Sequence, residues 1–173
     1  MKKYLITTAD EATWKFDEPV IFLGDWCRLY NRKHIWKEMD FVVAKPYGLQ
    51  QLKKDFDFSQ IRELEKKLFP EFYELLNQNF GTSHNERFWQ IILGSWFRKV
   101  LELLLNRINS LKECFENYNI SGTTVYKNDG YSLPTSDYVS FENACEDNIW
   151  NNILNAHILA ILKIPDVKIK YIE

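Results

Sequence analysis

Two short runs of almost purely apolar residues limit the folds that this chain can adopt. They are PVIFLG at residues 19–24 and DFVVA at residues 40–44. A strand with one solvated face alternates apolar and polar residues, whereas continuous apolar character is typical of strands buried on both faces, as in parallel sheets. The two runs therefore favour a sheet that is covered on both sides.

Three further segments complete the set of predicted strands. KYLITT at residues 3–8 is rich in β-prone residues, and ISGTTVY at residues 120–126 gives a weaker signal of the same kind. VKIKYI at residues 167–172 alternates apolar and polar residues, which predicts an edge strand.

Helices are predicted between these strands, at residues 25–38, 58–78, 85–117 and 141–162. The longest of them carries apolar residues at spacings of three and four, which indicates an amphipathic helix. Pro70 is expected to kink or divide the second helix, because proline lacks the N–H that a helix interior needs. Pro165 is expected to stop the last one.

The order of these elements predicts one α/β domain over residues 1–173, built on a mainly parallel sheet. One connection is weak, because residues 9–18 are barely long enough for a parallel crossover, which usually needs about a dozen residues. A compact loop between the first two strands is the alternative.

Composition excludes several classes of function. The net charge is −2, with 22 basic and 24 acidic residues, so the basic excess of a nucleic-acid-binding protein is missing. The 3 cysteines form no CxxC pair, which argues against a zinc site or a disulfide framework and suits reduced thiols in the cytoplasm. No apolar run is long enough for a signal peptide or a membrane span. The 6 tryptophans leave room for a sugar-facing surface besides the core.

Polar residues follow the predicted strands and are expected to gather at one rim of the sheet. Ligands of open α/β sheets lie outside the carboxyl ends of the strands. Asp10 and Glu11 follow the first strand, where a carboxylate can act as a general base or simply cap a turn. Arg28 and Arg32 are four residues apart and are expected to share a helix face that holds a phosphate or carboxylate. A solvated basic face paired with acidic residues is the alternative.

A shared rim at the carboxyl ends of the strands predicts which of these residues lie close together. Asp10, Asp25, Arg28 and the turn at residues 45–48 should lie in one concave region, with Arg28 and Arg32 partly exposed. Trp26 and Leu29 should point away from it, between helix and sheet. His34 and Arg87 are further candidates for contact with an anionic ligand, and Trp89 is expected to pack in the core.

The glycine-rich and catalytic motifs of common enzyme families do not occur. The sequence contains no GxGxxG, Walker loop, GxSxG or HExxH. Without a glycine-rich phosphate loop, nucleotide binding by this segment alone is disfavoured.

Four blocks of the sequence are characteristic: KKYLITTADEATWKFDEPVIFLGDWCRLYNRKHIWKEMDFVVAKPYG, ERFWQIILGSWFRKVLELLLNR, ISGTTVY and PTSDYVSFENACEDNIWNNIL. These blocks resemble a family of transferases from bacterial surface-polysaccharide gene clusters. The resemblance covers essentially the whole chain and implies a Rossmann-like, three-layer domain corresponding to the N-terminal half of a two-domain glycosyltransferase. The residues that match the family blocks are Thr8, Asp10, Glu11, Gly24, Asp25, Trp26, Cys27, Arg28, Arg32, His34, Arg87 and Trp89.

The resemblance implies a role in the biosynthesis of lipopolysaccharide or another surface glycan. This chain would supply the acceptor side, would bind a glycan or sugar-phosphate acceptor, and would need the C-terminal half, which would hold a nucleotide-sugar donor. The catalytic base is expected to be Asp10 or Asp25. Substrate contacts are expected from Thr8, Glu11, Trp26, Arg28, Arg32, His34 and Arg87, and no metal ligand or cofactor is expected in this chain.

Two other functions remain open at this point. A chain of this length without a phosphate loop can be a binding or assembly module with no chemistry of its own. A small nucleotide-dependent enzyme, complete in itself, is the third interpretation, and nucleotide binding by the isolated chain would support it.

Overall fold

A five-stranded parallel sheet organises the protein. The structure is a computed structural model that describes residues 2–127, 130–165 and 167–173. The strands are β1 (Lys3–Ile6), β2 (Val20–Phe22), β3 (Phe41–Val43), β4 (Ile120–Tyr126) and β5 (Lys168–Ile172). Every neighbouring pair is parallel, and the strand order is β3-β2-β1-β4-β5. The predicted α/β class, the parallel sheet and the edge position of β5 are confirmed, and the order is that of a Rossmann-like sheet.

The short connection between β1 and β2 is a compact loop that still permits parallel pairing. Tyr4 pairs with Val20 and Ile6 pairs with Phe22 in the parallel register. The loop contains one 3-10 turn, Glu11–Thr13, which Asp10 caps by accepting a hydrogen bond from the Ala12 N–H. A single tight turn is therefore enough to bring the chain back to the start of the next strand.

The helix predicted at residues 25–38 is wrong. The segment contains two 3-10 turns, Asp25–Cys27 and Tyr30–Arg32, and one short helix, α1 (Lys33–Trp36). Leu29 between the turns is extended, at φ −64° and ψ 136°, and its carbonyl accepts a hydrogen bond from the Trp36 indole. Local bonds of side chains to the backbone take the place of the helical ladder here.

A helical hairpin separates β3 from β4 in the chain. It is formed by α2 (Gln51–Phe80) and α3 (Glu86–Asn117), and residues 47–108 make up a compact unit distinct from residues 1–46 and 109–173. We call these the hairpin unit and the sheet unit. The hairpin has its own aromatic core, in which Phe72 stacks on Phe97 at 4.9 Å and Phe69 meets Phe97 edge-on. Trp89 is buried there, as predicted.

Helix α2 runs without division through Pro70 and begins seven residues before its predicted start at residue 58. The expected division at Pro70 is therefore wrong. The helix ends at Gly81, whose left-handed backbone (φ 62°) is typical of a helix C-terminus.

The helix predicted at residues 141–162 is instead two helices, α4 (Tyr138–Glu146) and α5 (Asn148–Leu162). Asp147 divides them, because its extended backbone (ψ 128°) ends α4 while its side chain accepts a hydrogen bond from Trp150 N–H and caps α5. The last helix ends three residues before Pro165. In the described part of the chain, no helix combines the length and the apolar character that a membrane crossing requires.

Candidate functional site

The strand order places a topological switch between β1 and β4. The chain builds outward from β1 through β2 to β3, and then continues on the other side of β1 with β4 and β5. Ligands of open α/β sheets bind in the crevice outside the carboxyl ends of the strands at such a switch. A site is therefore expected among the residues that follow β1 and those that end β4.

Asp10 lies at this crevice and is held by both of its carboxylate oxygens. Its Oδ1 accepts the hydrogen bond from Ala12 N–H at 3.1 Å, and its Oδ2 accepts a short hydrogen bond from the hydroxyl of Tyr126. Tyr126 is the last residue of β4, so this bond spans the switch directly. Burial, together with the bond to Asp10, raises the pKa of Tyr126 to about 12, and the phenol remains a hydrogen-bond donor at neutral pH.

An asparagine face on α5 fixes the same crevice from the other side. Asn148 Oδ1 accepts a hydrogen bond from Ala9 N–H at 3.0 Å, next to Asp10. Asn152, which is fully buried, accepts from Tyr126 N–H at 2.8 Å and donates to the Thr124 carbonyl at 3.2 Å. One face of a single helix thus holds the ends of β1 and β4 in place.

An open cleft of about 420 Å³ lies between these elements. Three of its lining residues carry carboxylates, and these groups accept hydrogen bonds from hydroxyl groups well. Over the described residues, no group of three or more His, Cys, Asp or Glu side chains is placed to hold a metal ion. The lining residues are Ala9, Asp10, Glu11, Asp147, Asn148 and Ile149.

Glu11 and Arg32 form a bidentate ion pair across two loops. Both carboxylate oxygens accept hydrogen bonds from the guanidinium, at 2.7 Å each. The hydrogen bond to Arg32 lowers the pKa of Glu11. The same pair raises the pKa of Arg32.

Asp25 and Arg28 form a second ion pair, outside the end of β2. Nε and Nη2 of Arg28 donate to the same oxygen, Asp25 Oδ1, at 3.1 and 2.5 Å. The guanidinium also lies over the rings of Trp36 and Phe41, at 5.2 and 5.4 Å. The predicted partial exposure of both arginines is confirmed, but the shared helix face of Arg28 and Arg32 is wrong, because residues 25–38 are not one helix.

Trp26 and Leu29 are exposed rather than packed between helix and sheet, so this prediction is also wrong. Trp26 is 43% exposed, and its indole N–H donates to the Thr7 carbonyl at 3.3 Å. The bond turns the ring toward the carboxyl end of β1 and away from the sheet interior.

Thr8 lies two residues before Asp10 in the sheet unit, whereas Arg87 belongs to the hairpin unit. Thr8 is buried, and no hydrogen-bond partner of its hydroxyl oxygen is found among the described residues. Its carbonyl accepts the indole N–H of Trp14. Arg87 is exposed on α3 within the hairpin unit. Tyr47 and Gly48 of the predicted turn are half-buried and belong to the same unit, where the Tyr47 hydroxyl donates to Asp57.

Sequence reasoning missed Tyr126, Asn148 and Asn152. A signal for the asparagines does exist, because residues 148, 151, 152 and 155 are all Asn, and 148, 152 and 155 lie at helical spacing in a largely apolar segment. No local signal marks Tyr126, whose partner Asp10 lies 116 residues away in the chain.

The comparison with known families completes these observations. The model of the LIC12162 family transferases matches residues 3–172. The chain belongs to the LIC12162 transferase family. The matched residues include every strand of the sheet and every residue that lines the cleft. Searches of curated proteins and of solved structures find no match to the chain.

Proposed function

We propose that the protein is a glycosyltransferase-like enzyme of bacterial surface-polysaccharide biosynthesis, and that this chain forms its acceptor side. The observation that carries the proposal is the family match over residues 3–172, which supplies the transferase class. The cleft at the switch supports a hydroxyl-bearing acceptor, since three of its lining residues carry carboxylates that can accept hydrogen bonds.

Asp25 is the better placed of the two candidate bases. Both oxygens of Asp10 already accept hydrogen bonds from the protein. At Asp25, both bonds from Arg28 go to Oδ1, and the side chain is 73% exposed. Within the described part of the chain, no donor contacts Asp25 Oδ2. This oxygen can accept the proton of an acceptor hydroxyl. Because Asp25 does not line the cleft beside Asp10, the acceptor of this proposal extends from that cleft to the end of β2.

The transfer step then follows from ordinary acid–base chemistry. Asp25 Oδ2 takes the proton from the acceptor hydroxyl while the hydroxyl oxygen of the acceptor forms a bond to the anomeric carbon of the donor. The bond from that carbon to the nucleoside phosphate breaks, and the electron pair leaves with the phosphate. The donor is a nucleotide sugar held by a second half of the enzyme, and the acceptor is a glycan or a sugar phosphate.

The test changes each carboxylate to its amide in a family member that carries both halves. Loss of a general base costs about 10²- to 10⁴-fold in rate, so D25N should reduce transfer by at least about 100-fold, and D10N should reduce it less. Transfer is measured by mass spectrometry with panels of nucleotide sugars and of glycan and sugar-phosphate acceptors. R28M separates loss of the ion pair from loss of the base.

Asp17 provides a matched control. It is an exposed carboxylate that precedes β2 and therefore lies near the amino ends of the strands, and D17N should transfer at the wild-type rate. A loss in D10N alone would move the base to Asp10. Unchanged turnover in both D10N and D25N would overturn the assignment of a base to this edge.

Exposed apolar side chains on the hairpin unit favour one second candidate, a binding or assembly module without chemistry. Leu52 is 84% exposed and Ile91 is 76% exposed, which is unusual for two helices that already have a core. Sedimentation at several protein concentrations tests this function. A monomer at every concentration would count against self-assembly.

A further inference from the structure

Three successive residues at the start of α5 line the open cleft. Asp147 caps the helix, Asn148 is its first residue and Ile149 is its second. Asp147 Oδ1 accepts a hydrogen bond from Trp150 N–H at 2.7 Å, and Asn148 Oδ1 accepts one from Ala9 N–H at 3.0 Å. Each of the two polar side chains thus uses one terminal atom to hold the fold, and this bond fixes the position of the other terminal atom.

The two remaining atoms have opposite hydrogen-bonding character. Asn148 turns Oδ1 toward the Ala9 N–H because an amide nitrogen cannot accept this bond, so its Nδ2 is left as a donor. Asp147 Oδ2 is a carboxylate oxygen and is left as an acceptor. Among the residues that the structure describes, no acceptor contacts Asn148 Nδ2 and no donor contacts Asp147 Oδ2. Adjacent residues of the cleft therefore offer one donor and one acceptor.

The charge of the cleft favours a neutral ligand over a phosphate. Glu11 is neutralised by its ion pair with Arg32. The groups that donate to Asp10 and to Asp147 are a hydroxyl and backbone N–H groups, which carry no net charge. Two carboxylates thus keep their negative charge at the cleft, and this charge repels an anion. A neutral molecule that both donates and accepts hydrogen bonds matches this surface better.

Two neighbouring hydroxyls of a sugar ring have this character. One hydroxyl can accept from Asn148 Nδ2 while its neighbour donates to Asp147 Oδ2, since each hydroxyl is both donor and acceptor. Ile149, which is 40% exposed, adds an apolar contact for the C–H groups of the ring. We propose that Asp147 and Asn148 bind a vicinal diol of the acceptor. This inference rests on the proposed function and narrows the group held in the cleft to a neutral sugar ring rather than a phosphate.

Isosteric variants test the pair and keep the bonds that hold the fold. D147N retains the cap of α5, because asparagine caps helices as well as aspartate does, and it turns the remaining acceptor into a donor. N148D retains the oxygen that accepts from Ala9 N–H and turns the remaining donor into an acceptor. Each single variant should weaken diol binding about tenfold, because one hydrogen bond is lost and like groups face each other.

The double variant D147N/N148D separates recognition from a structural effect. It presents the donor and the acceptor in reversed order at an unchanged net charge, and a diol can reverse its own hydrogen bonds to match. Binding should therefore recover to within about threefold of the wild type, as expected for strongly coupled sites. A structural effect of the two changes would add instead, and the double variant would then bind more weakly than either single variant.

The probes are methyl α-D-glucopyranoside, methyl α-D-mannopyranoside and methyl β-D-galactopyranoside, which differ in the arrangement of their neighbouring hydroxyls. Each is titrated to high millimolar concentration into the ¹⁵N-labelled chain of 173 residues. At least one should shift the side-chain NH₂ signals of Asn148, which are assigned by their absence in N148D. The backbone amide signal of Ala9 follows binding in every variant. Cyclohexanol, with a single hydroxyl, should leave these signals in place, and α-D-glucose 1-phosphate should bind more weakly than methyl α-D-glucopyranoside.

Asp137 is the matched control. It caps α4 by the same kind of bond, to Ser140 N–H, and it is not among the residues that line the cleft, so D137N should bind as the wild type does. Thermal unfolding identifies any variant that does not fold, and if one single variant fails to fold, the other decides the test.

The outcomes are distinct from those of the transfer assay. Binding at the wild-type affinity in the folded single variants would overturn the diol site, as would failure of all three glycosides to move the Asn148 signals. If D25N abolishes transfer while D147N and N148D bind as the wild type does, the proposed function stands and this inference fails. If both single variants weaken binding but D10N and D25N retain transfer, the assigned base fails and the diol site stands.

Discussion

At the scale of single residues, the carboxylates of this sheet edge differ in what their oxygens already bind. Each oxygen of Asp10 and Glu11 already accepts a hydrogen bond, from Tyr126 and Ala12 in one case and from Arg32 in the other. Asp25 keeps one oxygen without a donor in the described residues. Asp10 and Glu11 therefore stabilise the loops at this edge of the sheet, and Asp25 is available to act as a general base.

The ion pair of Glu11 makes part of the stability depend on pH. Its pKa is lowered in the folded protein by the hydrogen bond to Arg32, so the unfolded chain takes up the proton first as pH falls. The stabilisation is fully present above the ordinary glutamate pKa of about 4.5 and is lost as pH falls through the lower folded value. Urea unfolding of wild type and E11Q from neutral pH down to about pH 3 should show a steeper loss in the wild type.

The partner residue supplies the control for this prediction. R32M removes the same pair from the other side and should flatten the profile as E11Q does. The double variant E11Q/R32M should add nothing further, because the two changes remove one interaction. Equal slopes for the wild type and both single variants would contradict the role of the pair.

At the scale of elements, the tip of the hairpin is organised by one buried amide. Asn77 Nδ2 donates to the His84 carbonyl, and its Oδ1 accepts from Thr82 Oγ1, His84 N–H and Trp89 Nε1, at 2.8 to 3.1 Å. N77A would leave these groups without their partner and should lower the free energy of unfolding by about 2–3 kcal/mol, from about 1 kcal/mol per bond after relaxation. Chemical denaturation measures the loss.

Asn79 is the matched control, since it is exposed in the same last turn of α2. N79A should change the free energy of unfolding by less than about 0.5 kcal/mol. N77D keeps the acceptor oxygen and should lose less than N77A. Equal stabilities of N77A and N79A would contradict the role of the amide.

The strands could be predicted from the sequence, whereas the structure of residues 25–38 could not. All five strands were predicted, because continuous apolar runs such as residues 19–24 report burial that any parallel sheet imposes. The helix at residues 25–38 was wrong because the side chains of Trp26 and Trp36 bond to backbone carbonyls and stabilise separate turns. Propensity does not encode such bonds.

The sequence predicted only the part of the candidate site that follows β1, and it did not predict the part supplied by β4 and α5. Asp10 could be found because it follows an apolar strand, and it lines the cleft. Asp25 also follows a strand, but it is not among the residues that line the cleft, so the one concave region predicted for both stays a prediction. Tyr126 and Asn152 could not be found, because their roles depend on the crossing to the other side of β1, which no local pattern specifies.

At the scale of the whole molecule, the three cysteines report the integrity of the fold. Cys27 and Cys114 are buried, and burial raises the pKa of Cys114 to about 12, whereas Cys145 is half-buried. A thiol alkylates through its thiolate, so native protein treated with iodoacetamide at neutral pH should react first at Cys145. Peptide mass spectrometry measures the rate at each site.

Denatured protein is the control, and all three thiols should then react at similar rates. In native protein, reaction at Cys114 should require opening of the structure and should be slower than at Cys145 by a large factor. Native Cys114 reacting as fast as Cys145 would contradict the burial of the helix that carries it.

The switch between β1 and β4 has a consequence for synthesis on the ribosome. Tyr4 finds its partner Thr124 only 120 residues later, so β1 is made long before its second neighbour. At a translation rate of ~5–20 residues per second the delay is roughly 6–24 s. During that time β1, with β2 on one side, presents an unpaired row of N–H and C=O groups to anything nearby. During synthesis, mispairing is therefore most probable along β1, the strand that ends at the centre of the folded sheet. A chaperone that binds the nascent chain in this interval would protect β1 from such mispairing.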